Sequence, residues 1–418
     1  MLIHTTTHRA ASRLKVLVLT HRLPFAPNRG DRVRAFHIVK LLAARADVHV
    51  VSLVHDRAEA AEADTLRRMG VRVSIAPVPR IANLARAAID LGTNRPLTHL
   101  LLHSPRMQEA VRRATDGWRP DVVLAYCSGV APAALAPPLA DVPLVLDLVD
   151  VDSAKWAAFG EAASFPRSWV FRREARCLAA FEQQAVAAAH RVVVVNERER
   201  EALLHLAPDA RVVVAPNGVD VERLSPPDLP MTGDRVIFAA VFNYAPNADG
   251  ALWFAREVWP RIRAARRSAR LTLAGASPTR AVRRLADADA SIEVTGSVKD
   301  IRPFLWGSAV SVAPIFQARG VQNKVLEAAA AGLPAVVTRA VWDGLPQEVL
   351  PACQIGETAE RFAAEVVRLL ALSPTDRRRR AARAKLSGLA WPTRLAPLVD
   401  VIESAAADDA PAVVAYAR

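Results

Sequence analysis

The sequence has little cysteine and no long apolar run. Its three cysteines, Cys127, Cys177 and Cys353, show no CxxC spacing and cannot all pair with one another, which predicts a reduced, cytoplasmic setting. No stretch of about 18 consecutive apolar residues occurs, so we expect no membrane-spanning helix. Charged residues interrupt the apolar pieces of residues 1–20, and we therefore expect no secretory signal peptide.

Several familiar catalytic motifs are also missing. The sequence contains no GxSxG, Walker A or GxGxxG motif, which argues against serine hydrolases, P-loop NTPases and dinucleotide-dependent oxidoreductases. Its ten histidines show no metal-ligand spacing such as HExxH, so they predict no metal site. The carboxylates Asp147, Asp150 and Asp152 are clustered in the way that metal ligands often are, but Asp152 or Ser153 is equally suited to cap the next helix.

Acidic residues are outnumbered by basic ones, 42 against 55, which gives a formal net charge of +13. This charge favours anionic partners such as nucleic acid, an acidic membrane surface or a phosphorylated substrate. Arginine supplies most of it in an alanine-rich background, so genomic composition explains it equally well. The run DRRRRAARAK (376–385) predicts a helix with a solvated face, and contact with anionic lipid is the second interpretation. Because no nucleic-acid-binding module is recognisable, no nucleic-acid partner is expected.

Short runs rich in valine, leucine and isoleucine alternate with longer helical patterns along the chain. Without polar alternation, such runs predict parallel strands that are buried on both faces of a sheet. The predicted strands are 15–20, 47–54, 71–78, 121–126, 143–149 and 191–196 in the first half, and 235–242, 270–276, 292–296, 309–315 and 334–338 in the second. The predicted helices include 32–45, 247–266, 278–287, 299–306, 322–331 and 358–372. This alternation predicts an α/β fold of two Rossmann-like, doubly wound domains that face each other across a cleft.

A proline-rich stretch, LSPPDLPMTGD (224–234), is the best linker candidate between the two domains. The strand and helix rhythm restarts near the same point. The predicted organisation is a flexible tail at 1–13, a first Rossmann-like domain at 14–220, a second at 221–390, and a C-terminal helix or tail at 391–418 that can return to the first domain.

The segment RGVQNKVLEAAAAGLP (319–334) places a polar cluster at the start of a helix that follows a buried strand. The first turn of a helix carries partial positive charge and free N–H groups, which attract anions. Lys324 in that turn becomes favourable when a phosphate is bound, and Arg319 adds a second cation suited to phosphate. Glu327 lies one turn later on the same face and can accept hydrogen bonds from sugar hydroxyls. An ordinary surface pair of Lys324 with Glu327 is the alternative.

Six segments carry a family resemblance, and they follow one another in the expected order. They are HRLPFAPNRGDRVRAFH (21–37), LVLDLVDVDSAKW (144–156), VVAPNGVD (213–220), FNYAPNADGALWF (242–254), VTGSVKDIRP (294–303) and RGVQNKVLEA (319–328). Together they resemble the family-four glycosyltransferases of GT-B fold, in particular a bacterial subgroup associated with exopolysaccharide (PEP-CTERM-type) gene clusters. The resemblance implies that the donor is bound by Gly30, Asn243, Asn247, Arg319, Gly320, Val321, Gln322, Asn323, Lys324 and Glu327.

The sequence departs from the family pattern at two places. The usual Glu-x7-Glu pair would put its first Glu at position 319, where this sequence has Arg319. The usual Arg and Lys after the first strand of the second domain are replaced by FNYAPNAD (242–249). Arg319 and Lys324 are therefore expected to stabilise the leaving diphosphate, while the contact with the donor sugar stays open.

The resemblance also implies that the first domain binds the acceptor. Asp31 and Arg34, in the glycine-containing loop after the first strand, are acceptor candidates, with a surface Asp31–Arg34 pair as the alternative. Ser128 stands in a loop where many relatives have a histidine, and a simple turn is the alternative to a hydroxyl contact there. Asp150 is a further catalytic candidate.

The implied activity is that of a retaining, metal-independent hexosyltransferase. It would move a sugar from a UDP- or GDP-linked donor to a glycan or lipid-linked acceptor in exopolysaccharide biosynthesis, with no permanently bound cofactor. The expected location is the cytoplasm, as a peripheral protein on the inner face of the plasma membrane. A nucleotide-sugar epimerase of the same fold is the first alternative, and a basic nucleic-acid-binding protein is the second.

Overall fold

The computed structural model describes most of the chain. The described ranges are 13–25, 30–227, 233–318 and 321–407, apart from the side chains of residues 30 and 31. Most of the predicted tail and part of the predicted linker therefore lie outside the described residues. The structure divides into unit 1, which comprises the described parts of Met1–Pro216 and Leu395–Arg418, and unit 2, which is Asn217–Arg394.

Unit 1 is built on a parallel sheet of seven strands. The strands are β1 (Lys15–Thr20), β2 (Asp47–Val54), β3 (Arg72–Pro77), β4 (Val122–Tyr126), β5 (Leu144–Val149), β6 (Arg191–Val194) and β7 (Val212–Val214), in the spatial order β3-β2-β1-β4-β5-β6-β7. The helices are α1 (Gly30–Arg45), α2 (Arg57–Ala61), α3 (Ala63–Arg68), α4 (Arg80–Ile89), α5 (Leu97–Leu102), α6 (Met107–Thr115), α7 (Ala131–Ala134), α8 (Asp152–Ala162), α9 (Arg167–Ala188) and α10 (Glu197–Leu206).

Unit 2 is built on a parallel sheet of six strands. The strands are β8 (Arg235–Ala239), β9 (Arg270–Ala274), β10 (Ile292–Gly296), β11 (Val310–Ala313), β12 (Ala335–Val337) and β13 (Cys353–Ile355), in the order β10-β9-β8-β11-β12-β13. The helices are α11 (Val221–Leu224), α12 (Ala245–Trp253), α13 (Trp259–Ala265), α14 (Arg280–Ala288), α15 (Arg302–Trp306), α16 (Asn323–Ala330), α17 (Arg339–Trp342), α18 (Ala359–Leu370), α19 (Pro374–Ala381) and α20 (Trp391–Ala407), which continues into unit 1.

The two sheets confirm the predicted α/β fold of parallel, doubly wound units. The central strands β4 and β11 are buried along their whole length, because helices cover both faces of each sheet. That burial explains why apolar runs without polar alternation predicted these strands. Every strand pairing within the sheets is parallel.

Two elements of unit 2 differ from the sequence-based prediction. The strand β13 was missed because CQI, at an edge of its sheet, lacks an apolar run. The helix predicted at 247–266 is interrupted by a π-helical turn at Phe254–Val258. Pro260 follows in the first turn of α13 and has no amide hydrogen to donate to the preceding turn, which is the physical reason for the wider turn there.

The arginine run at 376–385 is less solvated than predicted. Arg377 is buried and donates hydrogen bonds to the carbonyl oxygens of Leu370 and Leu372, at 3.3 and 3.1 Å. Arg378 donates to the carbonyl oxygen of Pro227 at 2.7 Å. Two of its four consecutive arginines therefore fasten α19 to its own unit.

Within the described ranges, no helix has both the length and the apolar composition needed to cross a bilayer. In the same residues, no group of three or more His, Cys, Asp or Glu side chains is arranged to hold a metal ion.

Candidate functional site

The two sheets share one topological feature that locates candidate ligand sites. The strand order reverses direction between β1 and β4 in unit 1, and between β8 and β11 in unit 2. Loops that leave such a pair of neighbouring parallel strands diverge to opposite faces of the sheet and open a crevice at the carboxyl edge, where doubly wound folds bind ligands.

A hydrogen bond bridges this reversal point in unit 2. Asn247 lies in the first turns of α12, which follows β8, and Lys324 lies in the first turn of α16, which follows β11. The Lys324 Nζ donates to Asn247 Oδ1 at 2.8 Å and to Gln322 Oε1 at 3.3 Å. Asn247 is buried, and its own Nδ2 donates to the carbonyl oxygen of Val241 at 2.9 Å. The predicted donor residues Asn247, Gln322 and Lys324 are thus brought together.

The side chains that accept hydrogen bonds from the Lys324 ammonium group are uncharged amides. The Lys324 Nζ also lies 5.6 Å from the centre of the Phe238 ring. Burial lowers the pKa of Lys324 to about 8, although the nearby Glu327 carboxylate opposes that shift. Keeping a half-buried ammonium group charged is costly when no carboxylate among the described residues lies at hydrogen-bonding distance, and an anionic ligand would relieve that cost.

Glu327 lies one turn beyond Lys324 and is not part of a surface ion pair. Among the described residues, no ion pair joins it to Lys324, whose ammonium group is directed to Asn247 and Gln322. Burial raises the pKa of Glu327 to about 7, and Lys324 and Arg223 oppose the shift. The surface-pair alternative for these two residues is therefore wrong.

The start of α16 leaves hydrogen-bonding groups available. No described side chain caps the helix at its N-cap residue, Gln322. Asn323 Oδ1 is buried and has no hydrogen-bond partner in the described part of the chain. Val321 is half-buried in the segment just before the helix. Arg319 and Gly320 lie outside the described residues, so their predicted roles stay predictions.

Two glycines allow the loops around the reversal point to approach closely. A Cβ atom on Gly250 of α12 would lie 2.3 Å from the carbonyl oxygen of Pro314, just after β11. A Cβ atom on Gly275, which has φ of +146°, would lie 1.8 Å from the carbonyl oxygen of Ala240, just after β8. Only glycine fits at either contact without movement of the backbone.

Exposed aromatic side chains at this edge were not predicted as site residues. Tyr244 precedes α12 and Phe316 follows β11, and they are 47% and 49% exposed. Phe316 packs edge-on against Trp253, with 4.8 Å between ring centres. Asn243, a predicted donor contact beside Tyr244, is also exposed. The available sequence signal was an aromatic residue in a loop directly after a strand.

The reversal point of unit 1 contains a buried ion pair. Arg34 of α1 and Asp147 of β5 are both buried, and Arg34 Nε lies 3.0 Å from Asp147 Oδ2. The guanidinium group also donates to the carbonyl oxygen of Ala215 at 2.8 Å. The burial of Arg34 differs from the predicted surface position and from the predicted acceptor contact, while its predicted pairing with Asp31 stays a prediction. The Gly30 backbone begins α1, while the Asp31 side chain lies outside the described residues.

Ser128 and the carboxylates Asp150 and Asp152 lie at the same edge of unit 1. Ser128 is buried, and its Oγ donates to Asp152 Oδ2 at 2.6 Å. Asp152 also pairs with Lys155 at 2.8 Å. Burial and then the nearby Glu199 carboxylate raise the pKa of Asp150. The predicted residues Ser128 and Asp150 thus lie in one polar loop region. The hydroxyl group of Ser128 is already hydrogen-bonded to Asp152 there.

The predicted cap of α8 is wrong. The residue before the helix is Val151, and neither Asp152 nor Ser153 caps it with a side chain. Instead, Glu182 of α9 accepts hydrogen bonds from the amide and the hydroxyl group of Ser153. Burial raises the pKa of Glu182 to about 7. A carboxylate distant in sequence thus accepts a hydrogen bond from a backbone amide in the first turn of α8, and the local sequence gave no sign of it.

A cavity of about 380 Å³ lies beside the loop that contains Ser128, entirely within unit 1. Its lining is mostly apolar and includes Leu100, Met107 and Phe181, together with Gly129 of the loop. Two polar atoms in lining residues, His99 Nε2 and Gln108 Oε1, are buried and lack a partner among the described residues. Burial lowers the pKa of His99 to about 4, so its ring is neutral near pH 7. Such a cavity suits an uncharged, largely apolar group.

Two family models match separate parts of the chain. Residues 233–372 match the model described as glycosyl transferases group 1, and residues 29–218 match the model described as glycosyl transferase 4-like domain. The chain is a glycosyltransferase. The match at 29–218 contains the strands β2 to β7 of unit 1, and the match at 233–372 contains all six strands of unit 2.

Solved structures show that the glycosyltransferase has the GT-B fold. Sucrose-phosphate synthase from Thermosynechococcus elongatus is 16% identical, with 94% of this chain and 99% of that chain covered and a TM-score of 0.65. Anabaena Alr3699/HepE in complex with UDP and glucose is 14% identical, with 94% and 100% covered and a TM-score of 0.63. A variant of S. aureus TarM in complex with fondaparinux, α-GlcNAc-glycerol and UDP is 10% identical, with 93% and 99% covered and a TM-score of 0.65. The comparison with curated proteins gives no match.

Proposed function

We propose that the glycosyltransferase moves a sugar from a nucleoside-diphosphate donor, bound by unit 2, to an acceptor bound by unit 1. The observation that carries the proposal is the half-buried Lys324, which Asn247 holds at the start of α16 with no ion-pair partner among the described residues. The resemblance in residues 319–328 and the presence of UDP in two structures of the same fold support the same donor class.

The donor contacts follow from the charge of each group. The diphosphate lies against the uncapped amide groups of α16 and the Lys324 ammonium group, which together offset its negative charge. Arg319 supplies a second cation. Glu327 accepts hydrogen bonds from the ribose hydroxyls, and the exposed rings of Tyr244 or Phe316 offer a surface for the base.

The chemistry that we propose needs little from the protein besides leaving-group stabilisation. The bond between the anomeric carbon and the donor phosphate oxygen breaks, and the acceptor oxygen bonds to the same face of that carbon, so configuration is retained. The acceptor proton passes to the departing phosphate oxygen. Lys324 and the α16 amides stabilise the charge that develops on the diphosphate. Because these groups supply the positive charge, the proposal includes no metal ion.

The acceptor that we propose is a lipid-linked glycan of exopolysaccharide biosynthesis, and the transferred group is a hexose. The mostly apolar cavity beside Ser128 supports an acceptor with an apolar portion, and its unpartnered atoms on His99 and Gln108 support one that also carries a hydroxyl or amide group. Nucleotide sugars are cytoplasmic metabolites, so the proposed location is the cytoplasm.

Thermal-shift screening with UDP- and GDP-sugars tests the proposal, because a ligand that binds the native state raises the unfolding temperature. We expect at least one nucleotide sugar to stabilise the protein, and Lys324→Ala and Glu327→Ala to lose most of that shift. The control Lys299→Ala, in an exposed loop of unit 2, should keep it. Equal shifts in all variants would place the donor elsewhere, and interconversion of sugar nucleotides without an acceptor would indicate an epimerase.

A further inference from the structure

The helix α4 of unit 1 exposes its large aliphatic side chains and buries a polar one, which reverses the usual orientation of an amphipathic helix. Its large aliphatic residues Ile81, Leu84 and Ile89 are 89%, 66% and 83% exposed. Its buried positions are instead Asn83 and Ala87. A helix that packs on a protein core normally buries its aliphatic stripe, so the exposed stripe of α4 calls for a partner outside the unit.

Specific hydrogen bonds fix α4 in this orientation. Asn83 is fully buried, and its Nδ2 donates to the carbonyl oxygens of Leu101 and His103 at 3.1 and 2.7 Å. These carbonyl groups lie at the end of α5, which would otherwise leave them unsatisfied. A rotation that buried the aliphatic residues would break both bonds. The hydrogen bonds of Asn83 therefore keep the aliphatic face of α4 directed outward.

Arginines border the aliphatic face on both sides. At 100° per residue, Leu84, Ile81 and Ile89 cover an arc of about 140°, with Arg80 beyond one edge and Arg86 beyond the other. Both arginines are exposed, and α4 contains no acidic residue. Asp90, the next residue, is paired with Arg95 at 3.3 Å. This face of α4 therefore combines exposed aliphatic side chains with positive charge at both of its borders.

A second exposed apolar group lies on a neighbouring element. Phe165 and Trp169, at the start of α9, are 82% and 48% exposed. Trp169 lies one turn before Arg173, whose Nη2 donates at 3.2 Å to the carbonyl oxygen of Asp90, directly after α4. Arg167 and Arg172, close to the tryptophan in sequence, are exposed as well. Aromatic side chains of this kind are enriched at membrane interfaces.

We propose that α4, together with Phe165 and Trp169, docks onto an anionic lipid bilayer and lies in the plane of its interface. Aliphatic residues on one helical face, with arginines at its borders, are the features of an interfacial helix. A second copy of the chain is a poorer occupant, since it would bring the same arginines against Arg80 and Arg86. This docking would bring the proposed glycosyltransferase to the membrane surface. The lipid contact would then lie on α4 and not on the arginine run of α19.

Co-sedimentation of the full chain with lipid vesicles tests the proposal. We expect binding to vesicles that contain phosphatidylglycerol, weakened by salt, and little binding to pure phosphatidylcholine. The triple variant Ile81→Ser, Leu84→Ser, Ile89→Ser should bind at least about tenfold more weakly, because it loses three inserted aliphatic groups. Arg80→Glu with Arg86→Glu should also weaken binding. The control Arg379→Glu, on the exposed side of α19, should bind like the wild type.

Other outcomes separate this proposal from its alternatives and from the donor site. Equal vesicle binding by the wild type and the triple variant overturns it, as does wild-type protein that binds no vesicles. A wild-type dimer in sedimentation that the triple variant abolishes would assign α4 to a second copy instead. All variants should keep the thermal shift with nucleotide sugars, so a failure of membrane docking leaves the donor site separately testable.

Discussion

The Lys324 ammonium group donates a hydrogen bond of 2.8 Å to the amide oxygen of Asn247, which lies 77 residues earlier in the chain. This contact ties the helix after β11 to the helix after β8, at the point where the strand order of unit 2 reverses. It holds a cation at a helix start, and no carboxylate of the described ranges is in direct contact with it. Such an arrangement should favour an anionic ligand.

The affinity for UDP, or for GDP if that is the donor nucleotide, should have a bell-shaped dependence on pH. A bound diphosphate favours protonated Lys324, whose pKa is about 8 without ligand, so affinity should fall as pH rises above that value. Ribose hydroxyls favour ionised Glu327, whose pKa is about 7, so affinity should also fall as pH drops below it. Titration calorimetry between pH 5.5 and 9.5 (about two units beyond the midpoint on each side) measures both limbs. A flat profile would contradict both contacts.

Replacing Asn247 by Asp should move the alkaline limb of that profile. A carboxylate in place of the amide oxygen would stabilise protonated Lys324 and raise its pKa, so the limb should shift upward by about one pH unit or more. Affinity near pH 7 should fall, since the new charge partly neutralises the lysine. Gln347→Glu, which also turns an amide into a carboxylate but at an exposed position of unit 2 outside the proposed site, is the control and should leave the limb in place. An unmoved limb in Asn247→Asp would mean that Lys324 does not contact the ligand.

Asp147→Asn should strongly destabilise unit 1. It removes the Asp147 carboxylate from the buried Arg34 guanidinium, and breaking a buried ion pair in this way costs about 3–5 kcal/mol in comparable cases. The control Glu109→Gln removes a partner of the exposed Arg113 on α6 and should cost less than about 1 kcal/mol. Urea-induced unfolding followed by tryptophan fluorescence compares the two. Similar midpoints for both variants would show that the buried pair contributes little.

Gly250→Ala should lower the unfolding temperature, although alanine usually stabilises a helix. The added Cβ atom would lie 2.3 Å from the carbonyl oxygen of Pro314, so α12 or the loop after β11 must move. Gly388→Ala is the control, because an added Cβ atom there meets nothing within 4 Å. Differential scanning calorimetry of both variants gives the comparison. A stable Gly250→Ala variant that also binds the donor normally would show that this close approach is unimportant for the site.

The sequence predicted the features that depend on local pattern. Uniform apolar runs gave nearly all of the strands, and the polar opening of 319–328 located Lys324 and Glu327 at the start of α16. The Arg34–Asp147 pair was missed because its members lie 113 residues apart, and no local signal joins them. The capping of α8 by Glu182 was missed for the same reason. The reversed orientation of α4 was also hidden, because helical periodicity shows that two faces differ but not which of them is buried.

Hydrogen exchange with and without a stabilising nucleotide sugar shows directly whether the donor binds at α16, because it reports where the ligand protects backbone amides. The account predicts slower exchange in 321–331, at the start and along the length of α16, together with the segment that contains Asn247. It also predicts that the protection disappears in Lys324→Ala at the same ligand concentration. Protection confined to unit 1, or unchanged exchange in 321–331 while the ligand is bound, would contradict the account.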